Sequence, residues 1–335
     1  MYKVDRGNAI RGGAEEMLEN VLGIDVSKKT LDVALMLKGK MLTRKFDNTQ
    51  KGFSLLKGWL ASLHIEKVHA CLESTGTYGE SIAEFLYENG HRVSVVNPLR
   101  VKGFARSDLQ RNKTDPADAR TIAEFCLAKE PEAWHPLPPE IKRLQALTRR
   151  IESLEQMLRS ERNRLDIAQA DVRSSLSRTI KMLETEIAEV KSLIKKHIDD
   201  HPDLKKQRDL LTSIPGIGEK TAELLLGELE FRQFSNARSL AAHAGVTPQQ
   251  FQSGTSINRT RLSKLGNGRI RKALYFPAMV AVKRNVVIKT FASRLGQNGK
   301  TPKQIICAAM RKLLHIAFGV IKNDHPFDPS MASYT

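Results

Sequence analysis

The sequence predicts a three-part chain: an α/β domain on a mixed sheet, a helical coiled-coil arm, and a mainly α C-terminal domain. Three observations carry this. Short apolar strands alternate with helical repeats up to about residue 130. Apolar residues at spacings of three and four dominate 141–200. Between Glu230 and Asp324 there is no Asp or Glu, where the overall acid frequency would place about ten.

Residues 1–19 mix Gly with both charges and read as a flexible leader. In the α/β part, 20–130, Val21 to Val26 reads as a buried strand, followed by short strands at Leu31 to Leu37 and Met41 to Phe46. Phe53 to Leu63 has helical spacing, Val68 to Glu73 is a further strand, Ser81 to Asn89 with Gly90 is a capped helix, and His91 to Val96 closes the set. A Pro-rich linker spans 131–140. In the arm, 141–200, Leu144, Leu147, Ile151, Leu154, Leu158, Leu165, Ala168 and Val172 form one seam. Leu176, Ile180, Leu183, Ile187, Val190 and Ile194 form another, out of phase with the first. The break at Ser174 to Ser177 reads as the tip of a helical hairpin, with one continuous helix as the alternative. Such arms often pair between chains, so an oligomer is expected.

The C-terminal domain, 205–328, opens on Pro215-Gly216-Ile217-Gly218, which resembles a helix-hairpin-helix turn and is expected to start a helix at Thr221 and to offer backbone N–H groups to one phosphate. Ala244 to Ser256 carries Pro248 and Gly254 and reads as a loop or short extended piece in an otherwise helical domain. Thr301 and Pro302 start the last helix, and 329–335 is a tail.

The net charge of +17 lies entirely in the acid-free stretch. It holds seventeen Lys and Arg, and the remaining 37 basic residues equal the 37 acids. A block of one sign points to the phosphate backbone of a nucleic acid. Aromatic residues make up only 6% of the chain, which favours backbone contacts over base stacking. Cys71, Cys126 and Cys307 share no disulfide or zinc spacing, so a reduced, cytoplasmic chain is expected. No run reaches the roughly twenty apolar residues of a membrane span, and no membrane partner is expected.

Two strands end in acids, Asp25 and Glu73, where a sheet of this kind usually places its site. In Lys113-Thr114-Asp115-Pro116-Ala117-Asp118, Pro116 suits the first helical position. Asp115 is then the N-cap, and Asp118 faces the same side. Four converging carboxylates repel unless a cation lies among them, and hard oxygen ligands favour Mg²⁺ or Mn²⁺. Each acid also has a plainer reading, as a helix cap or turn residue. Arg100, Lys102, Arg106, Arg111 and Lys113 sit beside this set as candidate nucleic-acid contacts. Gly216 and Gly218 are candidates through their backbone, and Arg259, Arg261, Lys264, Arg269, Arg271 and Lys272 follow Ser253. His243 is the nearest candidate base to that serine.

In order, Gly23-Ile24-Asp25-Val26-Ser27, Glu73-Ser74-Thr75-Gly76, Lys113 to Asp118, Pro215 to Gly218 and Gln252-Ser253-Gly254 resemble the transposases of the insertion-sequence-110 family, over about residues 20 to 328. The resemblance implies a RuvC-like (RNase H-like) fold for the first domain, whose DEDD acids Asp25, Glu73, Asp115 and Asp118 bind Mg²⁺. It implies a C-terminal domain in which Ser253 attacks DNA phosphate and forms a phosphoserine link, with Ser256 as the fallback. It also implies double-stranded donor and target DNA, a structured bridge RNA as guide, and a homo-oligomer, dimer or tetramer. Other readings are a RuvC-like nuclease or junction resolvase using water, a sugar-kinase or actin-like fold, and a non-catalytic RNA scaffold. The sugar-kinase or actin-like reading lacks a second Gly-rich phosphate motif.

Overall fold

The computed structural model describes residues 20–74, 76–107, 115–253, 257–263 and 265–331, without the side chains of Thr77, Ser107, Asp115, Pro116, Ser253, Ile257, Asn258 and Arg259. The expected leader, together with Arg111, Lys113, Lys264 and Ser256, lies outside them. Two compact units divide between Pro136 and Leu137.

The first unit is a five-stranded sheet between helical layers. Its strands are β1 (Asn20–Val26), β2 (Thr30–Leu37), β3 (Lys40–Asp47), β4 (His69–Glu73) and β5 (Arg92–Val96), in the order β3-β2-β1-β4-β5. The first three form an antiparallel meander, and β4 and β5 run parallel to β1. This mixed sheet is consistent with an RNase H-like domain. Alternation along the strands splits the core in two. Leu22, Ile24, Leu31, Val33, Leu35, Ala70 and Leu72 pack with α1 (Gln50–Ser62) and α2 (Glu80–Glu88) through Phe53, Leu56, Leu60, Ile82 and Leu86. Val21, Ala34, Cys71 and Val96 face the opposite side, against α3 (Pro98–Ser107) and α4 (Asp115–Lys129).

The Pro-rich segment is not a free linker along its whole length. Ser94 Oγ and Arg92 Nη2 donate to the Pro131 carbonyl at 3.0 and 3.1 Å, and the Trp134 N–H donates to the Val93 carbonyl at 2.7 Å. Trp134 packs into the core, so the segment is tied to β5 before the second unit begins.

The second unit has one continuous core. Two long helices, α5 (Pro139–Asp166) and α6 (Ala170–Asp199), pack through Ile151, Leu154 and Leu158 against Leu183, Ile187, Val190 and Ile194. Their turn is at 167–169, not at Ser174 to Ser177, which are helical. Serine costs a helix only a few tenths of a kcal/mol relative to alanine, and Arg178 Nη1 bonds Ser174 Oγ one turn away at 3.0 Å. The chain reverses at Ile167, 87% exposed, where the seam has no partner.

Beyond the arm come α7 (Pro202–Thr212), α8 (Glu219–Glu228) and α9 (Ala237–His243). A hairpin of β6 (Pro248–Ser253) and β7 (Ile257–Leu262) follows, then α10 (Gly268–Ala273), α11 (Tyr275–Arg284), α12 (Val286–Gln297) and α13 (Pro302–Asn323). Helix α8 starts at Glu219 with Gly218 as its N-cap, two residues before the expected Thr221. Helix α13 corrects another expectation. At 22 residues, with a mean hydropathy of 1.5 in its most apolar window, it is long and apolar enough to cross a membrane. It reads instead as a core helix, burying Ala309, Met310, Leu313, Leu314, Ile316, Ala317 and Val320 in the second unit.

Candidate functional site

Asp25 and Glu73 are brought together by sheet register. Strands β1 and β4 pair in parallel from Val21 with His69 to Ile24 with Leu72, so Asp25 and Glu73 are the next residues on adjacent strands. Both are half-buried. By alternation with Val21 and Cys71 they belong to the sheet face that carries α4.

Helix α4, which carries Asp118, approaches β1 closely. A Cβ at Gly23 would lie 2.2 Å from the Ala119 carbonyl oxygen and 2.4 Å from the Ala123 nitrogen. Only glycine fits there, and Ala119 and Ala123 supply the matching small surface on α4. The residue before Ala119 is the half-buried Asp118. Asp115 is the first residue of α4 itself, one position inside the expected cap, and its side chain lies outside the described residues.

The donors Asp25, Glu73 and Asp118 are all hard oxygens, a chemistry that fits Mg²⁺ or Mn²⁺. Among the described residues no group of three or more acidic, histidine or cysteine side chains is close enough to hold an ion by itself.

Two other features of this face escape the sequence reading. Cys71 and Cys126, 55 positions apart, are buried neighbours between β4 and α4, and a thiol hydrogen bond followed by burial pushes the Cys71 pKa up. Asp32 stands directly opposite Asp25 in the β1–β2 ladder. The symmetric spacing of the two acids about the tight turn after Val26 is the sequence signal that could have revealed it.

Ser253 is the last residue of β6, paired with Ile257, so of the two expectations for this segment the short extended piece holds. Phe251 pairs with Arg259 and Gln249 with Arg261, which places two of the predicted cations in the same ribbon as Ser253. His243 is exposed and packs against Phe234 with ring centroids 5.3 Å apart.

The remaining cations are not equivalent. Arg100, Lys102 and Arg106 are exposed on α3, with the Arg100 guanidinium 5.5 Å from the centre of the Phe125 ring. Arg269 and Lys272 are instead held by Glu152 of α5, at 2.5 and 3.8 Å. Arg271 is half-buried, and a Cβ at Gly245 would meet its Nη1 at 2.5 Å. The acid-free stretch thus draws counter-charges from elsewhere in the unit. At the Pro215 to Gly218 turn, Gly216 has φ +114°, and a Cβ there would lie 2.8 Å from the Ala281 Cβ and 2.9 Å from the Pro277 carbonyl oxygen. The turn is clamped onto α11, while Gly218 is exposed.

Known proteins resemble this chain along most of its length. A transposase model, DEDD_Tnp_IS110, matches residues 22–168, and a second, described as transposase IS116/IS110/IS902 family, matches residues 208–293. The chain is 35% identical over 317 residues to the pilin gene-inverting protein of Moraxella bovis, covering 93% of this chain and 98% of that protein. The corresponding protein of Moraxella lacunata is similar to the same degree. The transposase for insertion sequence element IS1328 of Yersinia enterocolitica is 25% identical, over 90% of this chain and 96% of its own.

Proposed function

The chain belongs to the IS110 family of transposases, and we propose that it cuts and rejoins DNA strands with a divalent-metal acid site in the first unit and Ser253 as nucleophile in the second. The observation that carries the metal half is the register placing Asp25 and Glu73 on adjacent strand ends, with Asp118 one residue from the Gly23 approach.

In this reading Asp25, Glu73, Asp115 and Asp118 would hold Mg²⁺ or Mn²⁺, which would supply charge neutralisation at the phosphate. Ser253 Oγ attacks phosphorus and gives up its proton. The Oγ–P bond forms, the P–O bond to the deoxyribose breaks, and the departing oxygen takes a proton. An incoming hydroxyl reverses the step on a second strand, so bond energy is conserved. Support for the serine comes from the motif Gln252-Ser253-Gly254 and from its ribbon, whose second strand carries Arg259 and Arg261 opposite Phe251 and Gln249.

The proposal extends to a structured bridge RNA that pairs with donor and target DNA, and to a homo-oligomer acting in the cytoplasm. Cations on α3 and the C-terminal unit grip the backbone while pairing selects the sequence. Asp25→Asn and Glu73→Gln should each lower Mg²⁺-dependent strand cleavage about a hundredfold or more while leaving DNA binding in place. Cleavage that survives both substitutions would refute the metal half. Sequencing the RNA that copurifies with the protein tests the guide. An RNA with loops complementary to both DNA partners is expected, and random fragments would refute it.

A further inference from the structure

Four charged residues form a row across the sheet on the face that carries α4. Lys45 pairs with Asp32 in the β2–β3 ladder, Asp32 with Asp25 in the β1–β2 ladder, and Glu73 follows on β4. Asp32 is 7% exposed, and its Oδ2 lies 3.1 Å from the Nζ of Lys45, whose side chain is 55% exposed. Carboxylates directly opposite each other on antiparallel strands have Cβ atoms about 4.5 to 5.5 Å apart and repel. Lys45 stands on the far side of Asp32 from Asp25 and compensates one of these two charges.

An ion pair with one partner largely in water adds little to stability. The position of this pair suggests a different use. We infer that the Lys45–Asp32 pair is a positioning element that sets the electrostatic potential at Asp25, and so the affinity of the acid site for a divalent cation. This rests on the metal reading proposed above. The cation in question is Mg²⁺ or Mn²⁺, held by Asp25 and its neighbours, with Asp32 occupied by the lysine.

Single-charge changes at this range act in opposite directions on a bound cation. Removing the lysine leaves a surplus negative charge, and Lys45→Met should tighten Mn²⁺ binding about fivefold. Asp32→Asn leaves an uncompensated lysine and should weaken binding about fivefold. The double variant should return close to the wild type, and Lys45→Arg, which keeps the charge, should not move. A purely structural pair would show no such sign reversal.

The measurement is free Mn²⁺ by electron paramagnetic resonance during titration of the full-length protein without DNA, with the Mn²⁺ midpoint of strand cleavage beside it. Wild-type binding that Asp25→Asn weakens, but that Lys45→Met leaves unchanged or weakens, overturns the inference and leaves the metal reading standing. Absence of Mn²⁺ binding in the folded wild type overturns both. If Asp32→Asn does not fold, Lys45→Met against Lys45→Arg decides.

Discussion

An alanine at position 23 would collide with the backbone of α4, because the Ala119 carbonyl oxygen lies 2.2 Å from where its Cβ must be. A flexible side chain could swing away, but a helix backbone can only move as a body. Gly23→Ala should therefore destabilise the protein by about 1 to 3 kcal/mol in chemical denaturation. It should also reduce strand cleavage by more than that loss explains, since the displaced helix carries Asp118. Wild-type stability in the variant would show that the approach is not tight. At this scale the sequence was partly legible. Asp25 and Glu73 stand at the ends of apolar runs, and a run ending in an acid can be read without a structure. Asp32 could not be singled out that way. It looks like the polar position of an alternating strand, and its meaning depends on the register that sets it opposite Asp25.

Among the elements, the arm and the last helix show where local reading succeeds and where it stops. Apolar periodicity is local and strong, so the arm's two helices were legible. The turn between them was not, because serines are tolerated in a helix and the actual break at 167–169 has little turn chemistry. The cations of the acid-free stretch were legible as a count but not as free charges, since Glu152 comes from more than a hundred positions earlier. Glu152→Gln should release Arg269 and Lys272, raise affinity for non-specific duplex DNA, and steepen its salt dependence by about one to two phosphate contacts. An unchanged salt slope in a binding titration would show that neither cation reaches DNA. In α13, His315 is half-buried, its Nε2 has no hydrogen-bond partner among the described residues, and burial together with Arg311, Lys312 and Arg238 lowers its pKa to about 4. The folded form therefore binds this proton less readily than the unfolded chain, whose value is near 6.5. The stability linked to this group is present above about pH 6.5 and is lost as pH falls toward 4. His315→Gln should flatten the decline of the thermal midpoint between pH 7 and 5, and a parallel decline in both proteins would count against it.

At the scale of the whole molecule, the proposed function divides chemistry between units that each have their own core. The second unit has no acid between Glu230 and Asp324 and cannot assemble a carboxylate metal site from that stretch, while the first supplies Asp25, Glu73 and Asp118. An oligomer allows the acids and the serine of one reaction to come from different chains. Mixing an Asp118→Ala chain with a Ser253→Ala chain should then restore a measurable fraction of recombination, and no rescue in co-purified mixed oligomers would count against such sharing. The division of labour stands or falls on the link between serine and DNA. The direct test is to denature the protein during reaction with its DNA and guide, isolate the protein–DNA adduct, and locate the attachment by mass spectrometry. The account predicts an adduct at Ser253 that needs Mg²⁺ and Asp25 and disappears in Ser253→Ala. Cleavage by wild-type protein without any adduct, or an adduct that persists in Ser253→Ala, would contradict it.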